Sequence, residues 1–255
     1  MNINVLCNKP EQLRAALEMP QISRIYIEAD MYKSKAEKED LIGRVHAAQK
    51  ECAAALPYVF RDTTYVDATG FDCVLVRSLD ELECYKDYKL ISDYGLYAMN
   101  AKAAGWLEDH NITQITVPIE LNEHELYDLG CSGKEIIVYG HIPMMVSAQC
   151  IHKNTEGCDR KPKITELTDR TGKVMKVENK CAYCCNLIYN ALPLSLIGIM
   201  QKVKKLSPSS IRVNLTTEDY EKASAVLLAA IQSVETEVTE PVKDFTRGHF
   251  TRGAL

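Results

Sequence analysis

Residues 135–145 read EIIVYGHIPMM. Glu135–Tyr139 is a short, nearly continuous apolar run, the pattern of a strand buried on both faces of a parallel sheet. Gly140 and His141 end it, and the next comparable run, Ile211–Leu215, lies far downstream. Upstream the spacing is tight. Runs of the same kind stand at Ile3–Leu6, Arg24–Glu28, Ala53–Val59, Cys73–Val76, Leu90–Ser92 and Gln114–Pro118, each separated from the next by about one helix and its loops. Helical stretches fill the intervals: Pro10–Leu17 behind the cap candidate Asn8, Lys35–Ala55, Leu79–Tyr85 behind Ser78, Asn100–Asp109, Asn122–Leu129 and Thr217–Ser233.

Eight strands alternating with helices in 255 residues predict an α/β fold, a (β/α)8 TIM-like barrel with a cysteine-rich insertion after strand seven. The alternative is an open doubly wound sheet. No G-x-G-x-x-G follows the first strand, which weighs against a dinucleotide-binding fold. Residues 1–255 are expected to form a single barrel domain, with residues 142–195 as a metal-binding insertion within it. The segment after a barrel strand emerges on the C-terminal face, where barrel enzymes carry their chemistry.

The chain is 46% hydrophobic and carries a net charge of −5, so its overall balance does not suggest a nucleic-acid binder. No long apolar run suggests a transmembrane helix, and the opening MNINVLCNKPEQL lacks the features of a signal peptide. A cytosolic, membrane-free location is expected. Ten cysteines in a reducing compartment are poor disulfide material. Cys7, Cys52, Cys73, Cys84 and Cys131 read as small buried hydrophobes.

The other five cysteines fall between positions 150 and 185. Cys150 and Cys158 flank a polar loop, Cys181 and Cys184 form a C-x-x-C, and Cys185 follows directly. Between the pairs, residues 164–174 read as a hairpin turning at Arg170–Gly172. Two thiol pairs can converge on one four-sulfur centre, either zinc or an iron–sulfur cluster. Spacing by itself favours zinc, because paired cysteines around a hairpin are the zinc-ribbon pattern. Cys185 is an alternative fourth ligand, with packing as its plainer role.

Polar groups recur at the strand ends: Glu28, Arg61 and Asp62, Arg77, Asp93, Asn100 and Glu120, with His141 after strand seven. His141 could serve as a general base, a substrate hydrogen bond or a metal ligand. Arg61, Arg77 and the tail arginines could form a local positive pocket. The tail FTRGHFTRGAL mixes aromatic and basic groups, suited either to nucleic acid or to closing the barrel. His152, in the cysteine loop, is expected to be exposed.

PIELNEHEL (118–126), EIIVYGHIPMM (135–145), the cysteine set and FTRGHFTRG (245–253) together resemble the collagenase-like peptidase family U-32. The likeness is closest to the C-terminal barrel-like part of its long bacterial members. It implies that an N-terminal domain is missing here. Members are named as peptidases, some as collagenases. Relatives carry out oxygen-independent hydroxylation of tRNA, 23S rRNA or the ubiquinone ring, with a 4Fe–4S cluster on four cysteines and, in some, a prephenate-derived donor. By this resemblance Cys150, Cys158, Cys181 and Cys184 hold the cluster, and Glu120, Asn100, His141 and the Arg247–His249 tail fall at motif positions. With Arg77 they make the candidate catalytic set. The expected activity is RNA hydroxylation, with a collagenase-like peptidase or a zinc-stabilised substrate-binding module as alternatives. The pattern also departs from the family: the first cysteine, Cys150, stands further from Gly140 than usual, and an opening APAG is absent.

Overall fold

The computed structural model describes residues 1–61 and 64–253, so Asp62 lies outside the described residues. Among the described residues thirteen strands run in chain order. They are β1 (Asn2–Cys7), β2 (Ile22–Glu28), β3 (Glu51–Ala55), β4 (Cys73–Val76), β5 (Leu90–Ser92), β6 (Ile112–Thr116), β7 (Lys134–Gly140), β8 (Pro143–Ser147), β9 (Ile164–Thr168), β10 (Val174–Lys180), β11 (Cys185–Tyr189), the two-residue β12 (Leu194–Ser195) and β13 (Ser210–Asn214). The helices are α1 (Pro10–Leu17), α2 (Lys35–Ala47), α3 (Asp80–Cys84), α4 (Ala101–Asp109), α5 (Glu123–Asp128), α6 (Ile151–Thr155), α7 (Met200–Lys205) and α8 (Tyr220–Glu235).

β1 to β7 pair in parallel succession, β7 pairs with β13, and β13 pairs back onto β1. The result is a closed eight-strand parallel barrel, the expected (β/α)8 architecture. β12 adds a short antiparallel edge to β7. β8, β11, β10 and β9 form a separate antiparallel sheet, in that order, from the stretch after β7. Gly140, at the end of β7, is required by close approach: a Cβ there would stand 2.6 Å from the Asn214 carbonyl oxygen of β13.

Several boundaries move from their sequence positions. The helix expected over Lys35–Ala55 stops at Ala47, and Gln49 takes a positive φ of 57° before the chain re-enters the barrel as β3. β3 ends at Ala55 rather than Val59, and Pro57, just beyond, lacks the N–H a central strand needs. Asn8 does not cap α1, because its side chain reaches across to Glu178 of β10. Ser78 does not cap α3 either; Glu81 accepts from the Arg77 and Ser78 backbone N–H groups instead. Asn122 does cap α5, in a reciprocal capping box with Glu125. Asn122→Ala is expected to lower stability by about 1 kcal/mol, read as a fall in the denaturant midpoint with an unchanged slope.

Strand alternation divides the core in two. Outward-facing side chains pack under the helices with Leu13, Val45, Leu107 and Leu227. Inward-facing ones form a separate lumen cluster of Leu6, Tyr26, Ala53, Ala55, Cys73, Leu75 and Ile91. This cluster fills only the β1–β5 side. The side made by β6, β7 and β13 is polar, with Thr116, Glu135 and Arg212 buried inside it. Of the scattered cysteines, Cys7, Cys52, Cys73 and Cys131 are buried as expected, whereas Cys84 is exposed.

Candidate functional site

A chain of polar contacts runs up the lumen from the base to the C-terminal mouth. At its centre, Glu135 accepts hydrogen bonds from Asn4 Nδ2 (2.6 Å), Tyr26 Oη (3.0 Å), Thr116 Oγ1 (3.0 Å) and Ser210 Oγ (3.0 Å). Arg212, fully buried, pairs with Glu135 at 3.2 Å and with Asp93 at 2.5 Å. Asp93 also receives Arg77 Nε at 2.9 Å, and Arg77 forks onto Glu28 at 2.7 and 3.0 Å. Charges this deep are tolerated only when paired and hydrogen-bonded. Burial alone would raise the Asp93 carboxyl, but the Arg212 and Arg77 guanidiniums outweigh it and hold it down at about 2.

A depressed carboxylate stabilises the fold above its ordinary pKa of 3.8, and that stabilisation is lost as pH falls through the folded value of about 2. Asp93 is therefore expected to contribute about 2 kcal/mol at neutral pH. That contribution should disappear between roughly pH 4 and pH 2, read from urea midpoints measured across that range.

The antiparallel sheet sits on the barrel mouth, latched by Lys180 at the end of β10. Its ammonium lies 3.1 Å from Asp30 and 3.2 Å from Glu178, and it donates to Asn8 Oδ1. Asn8 Nδ2 and Tyr189 Oη in turn donate to Glu178, at 2.9 and 2.6 Å. Asn8 and Asp30 belong to the loops after β1 and β2, so the latch joins sheet to barrel. Burial would lower the lysine pKa, yet Glu178 and Asp30 more than offset it and raise it.

The cysteines lie on the other face of this sheet. Asn179 and Lys180 are adjacent on β10, so their side chains point to opposite faces. Asn179 Nδ2 donates to Cys150 Sγ at 3.2 Å, and Cys181 Sγ donates to Asn179 Oδ1 at 3.3 Å. The Cys181 thiol is raised, first by desolvation and then by the nearby sulfurs of Cys150 and Cys158, by Asp159 and by Cys184. Cys184, at φ 50°, turns the C-x-x-C. Cys185 pairs directly across from Lys180 and so shares its barrel-facing side. It is 1% exposed, and burial pushes its thiol up to about 11. The buried, barrel-facing position of Cys185 suits a packing residue, while Cys184 is exposed in the turn before it.

The fit of a thiolate-bound group divides in two. Four thiols are a suitable donor set for zinc or an iron–sulfur cluster. Asn186, directly opposite Asn179, also holds a buried carbonyl oxygen without a partner in the same layer. Convergence is missing, however. Among the described residues no group of three or more His, Cys, Asp or Glu side chains is arranged to hold a metal ion. In this arrangement the four thiols are gathered but do not form a ligand set.

The remaining candidates separate. Arg77 is buried at the mouth, and its guanidinium is occupied by Glu28, Asp93 and the Leu56 carbonyl, so it forms no open positive pocket with Arg61 or the tail. Asn100 is engaged as the N-cap of α4, accepting from Ala103 N–H at 3.0 Å. His141 directly follows β7 rather than ending it, and its Nδ1 lies 2.9 Å from the Asn190 carbonyl. Glu120 is half-buried with one carboxylate oxygen unpartnered. His152 is buried, not exposed, between Glu156, Asp159 and Lys163. The tail packs rather than projecting: Phe250 is buried, and Arg247 pairs with Glu240 and donates to the Ser195 carbonyl.

A cavity of about 300 Å³ opens beside the latch, lined by Tyr58, Arg77, Asp93, Tyr94, Tyr97 and residues 143–146 of β8. The Arg77 guanidinium stacks 3.8 Å from the Tyr58 ring on its floor, while Met144 and Met145 are exposed at its rim. The sequence reading missed Tyr58, Tyr94, Asn179 and Lys180. Reading VMKVENK as a strand, whose successive side chains point to opposite faces, could have revealed that Asn179 and Lys180 serve two different faces.

Fold and site together define the class: a closed (β/α)8 barrel whose mouth is covered by a cysteine-bearing antiparallel sheet. No family model and no curated protein matches the chain. Among solved structures it is similar to the U32 peptidase Mk0906, with a TM-score of 0.51, 12% identity, and coverage of 86% of this chain and 94% of that one. It is also similar to thiamine phosphate pyrophosphorylase from Pyrococcus furiosus, with a TM-score of 0.50, 10% identity, and coverage of 92% and 95%. The chain has a U32-like barrel fold; at these identities the likeness concerns the fold alone. Among the described residues no helix is long and apolar enough to cross a membrane.

Proposed function

We propose that the chain is a U32-type barrel enzyme carrying a four-cysteine centre on Cys150, Cys158, Cys181 and Cys184, a 4Fe–4S cluster, and that it serves oxygen-independent hydroxylation of tRNA or rRNA. The observation that carries this reading is the meeting of Cys150 and Cys181, from two separate segments, on the side chain of Asn179, in a sheet that caps a U32-like barrel. When bound, such a cluster supplies electron transfer. The chain's own residues would bind and orient the substrate in the cavity beside Tyr58 and Arg77.

Charge distribution supports a nucleic-acid partner. The chain as a whole is −5, yet residues 142–195 hold eight Lys and Arg against five Asp and Glu. Six of the eight, Lys153, Arg160, Lys161, Lys163, Arg170 and Lys173, lie in helix α6 and the loops around the sheet, where they would meet phosphates. The hairpin of β9 and β10 between the two thiol pairs favours zinc as a second reading, with the chain then a substrate-binding module.

The test is mass spectrometry of nucleosides from cells with and without the gene. Loss of a nucleoside carrying one extra oxygen atom is expected. Unchanged tRNA and rRNA, together with hydrolysis of a gelatin or peptide substrate by the pure protein, would replace the hydroxylase by a peptidase.

A further inference from the structure

We infer that β8 is an interaction edge whose partner is a second copy of this chain, joined by antiparallel pairing of the two β8 strands beside the barrel mouth. Nothing in this contact depends on what the cysteines hold.

The antiparallel sheet over the mouth has two outer strands, β8 and β9. An outer strand aims alternate N–H and C=O groups away from its neighbour, and proteins blunt such edges with charge. β9 is blunted in this way. Glu166 stands exposed at its centre, and Lys163 and Asp169 lie just beyond its ends. β8 is not. It reads PMMVS, and Met144, Met145 and Val146 are 66%, 56% and 39% exposed. From Ile136 to His152 the sequence holds no Asp, Glu, Lys or Arg. Pro143 lacks an N–H, which closes only the first position of the strand. Among the described residues, no backbone hydrogen bond from outside β11 reaches Met144, Met145 or Val146.

The apolar surface continues past the strand. Tyr97 lines the same mouth cavity as residues 143–146 and is 57% exposed. Its φ is 52°, a strained backbone for a bulky side chain, and strain of this kind collects at functional sites.

A free strand edge is satisfied by another strand, because a polypeptide backbone supplies both donors and acceptors. Charge selects which strand. The chain carries −5, so two copies repel unless they meet through a neutral surface. β8 is such a surface. Pairing about Met145 sets that residue against itself, and Met144 against Val146 of the second copy, with no like charges opposed. The same pairing at β9 would set Glu166 against itself. A different protein would be oriented by complementary charge, and β8 offers none. Because residues 143–146 line the mouth cavity, the second copy's strand would run along its rim.

The experiment is sedimentation velocity of the full chain over a wide concentration range. The wild type is expected to move with concentration toward twice the 28.7 kDa chain mass. Met145→Lys and Met145→Glu each set like charges against one another, and each should weaken the dimer at least about tenfold. Mixing the two variants should restore association, since a Lys–Glu pair then forms across the contact. Glu166→Lys, on the opposite edge, should leave the dimer unchanged. Met145 is exposed, so both of its variants should keep the wild-type denaturant midpoint. A wild type that stays at the single-chain mass at every concentration would overturn the inference and leave β8 to another protein or to substrate. A dimer that persists in both Met145 variants, or that their mixture fails to restore, would overturn it as well.

Discussion

Replacing Arg212 with methionine is expected to remove about 3–5 kcal/mol of stability. The guanidinium is completely buried, and its partners Asp93 and Glu135 are nearly so, at 2% and 0% side-chain exposure. Removing the cation leaves Glu135 without its ion-pair partner and Asp93 with Arg77 alone, deep in the lumen, and the cost is that of undercompensated buried charge rather than of a lost contact. A whole domain is stable by only about 5–15 kcal/mol, so the variant should be close to unfolding at ambient temperature. Arg170, exposed in the hairpin turn of the sheet, is the matched control. Its replacement by methionine should stay within about 0.5 kcal/mol. Chemical denaturation of the two variants beside the wild type gives the comparison, and equal midpoints would mean that the lumen charges are not held as described.

Cys181→Ser is expected to cost about two orders of magnitude in metal affinity, since a structural four-ligand site binds with about 10–16 kcal/mol shared among its thiolates. Cys181 is the strongest choice because it shares Asn179 with Cys150 and its carbonyl accepts from Cys184. Cys184→Ser should act similarly. Cys185→Ser should retain metal, because Cys185 faces the barrel beside Lys180 rather than the other thiols. The measurement is metal content after passage over a chelating resin. Retention by Cys181→Ser together with loss by Cys185→Ser would reverse the assignment of the fourth ligand.

The barrel was legible because most of its eight strands are buried on both faces, so apolar runs such as Glu135–Tyr139 and Ile211–Leu215 stand out without any knowledge of their partners. The hairpin between the cysteine pairs was legible for a local reason too: Asp169 accepts from the backbone of Thr171 and Lys173, and Gly172 takes a positive φ of 80°. What could not be read was long-range. Asn8 resembles a helix cap, but its partner Glu178 lies far along the chain. Arg212 sits in an apolar-looking strand, and only closure of the barrel brings Asp93 and Glu135 to it. His152, flanked by charged neighbours, looks like a surface residue until Lys163 and Asp159 fold over it. At the site, the cysteines announced themselves by spacing, whereas the roles of Asn179 and Lys180 depend on which face of β10 meets the barrel.

The central claim is that four cysteines hold an iron–sulfur centre. Anaerobic purification followed by an absorption spectrum and iron, sulfide and zinc analysis tests it most directly. The account predicts a brown protein with about four iron and four sulfide per chain. A colourless protein without iron or sulfide would contradict it, and about one zinc per chain in that protein would assign the same four thiols to a structural site.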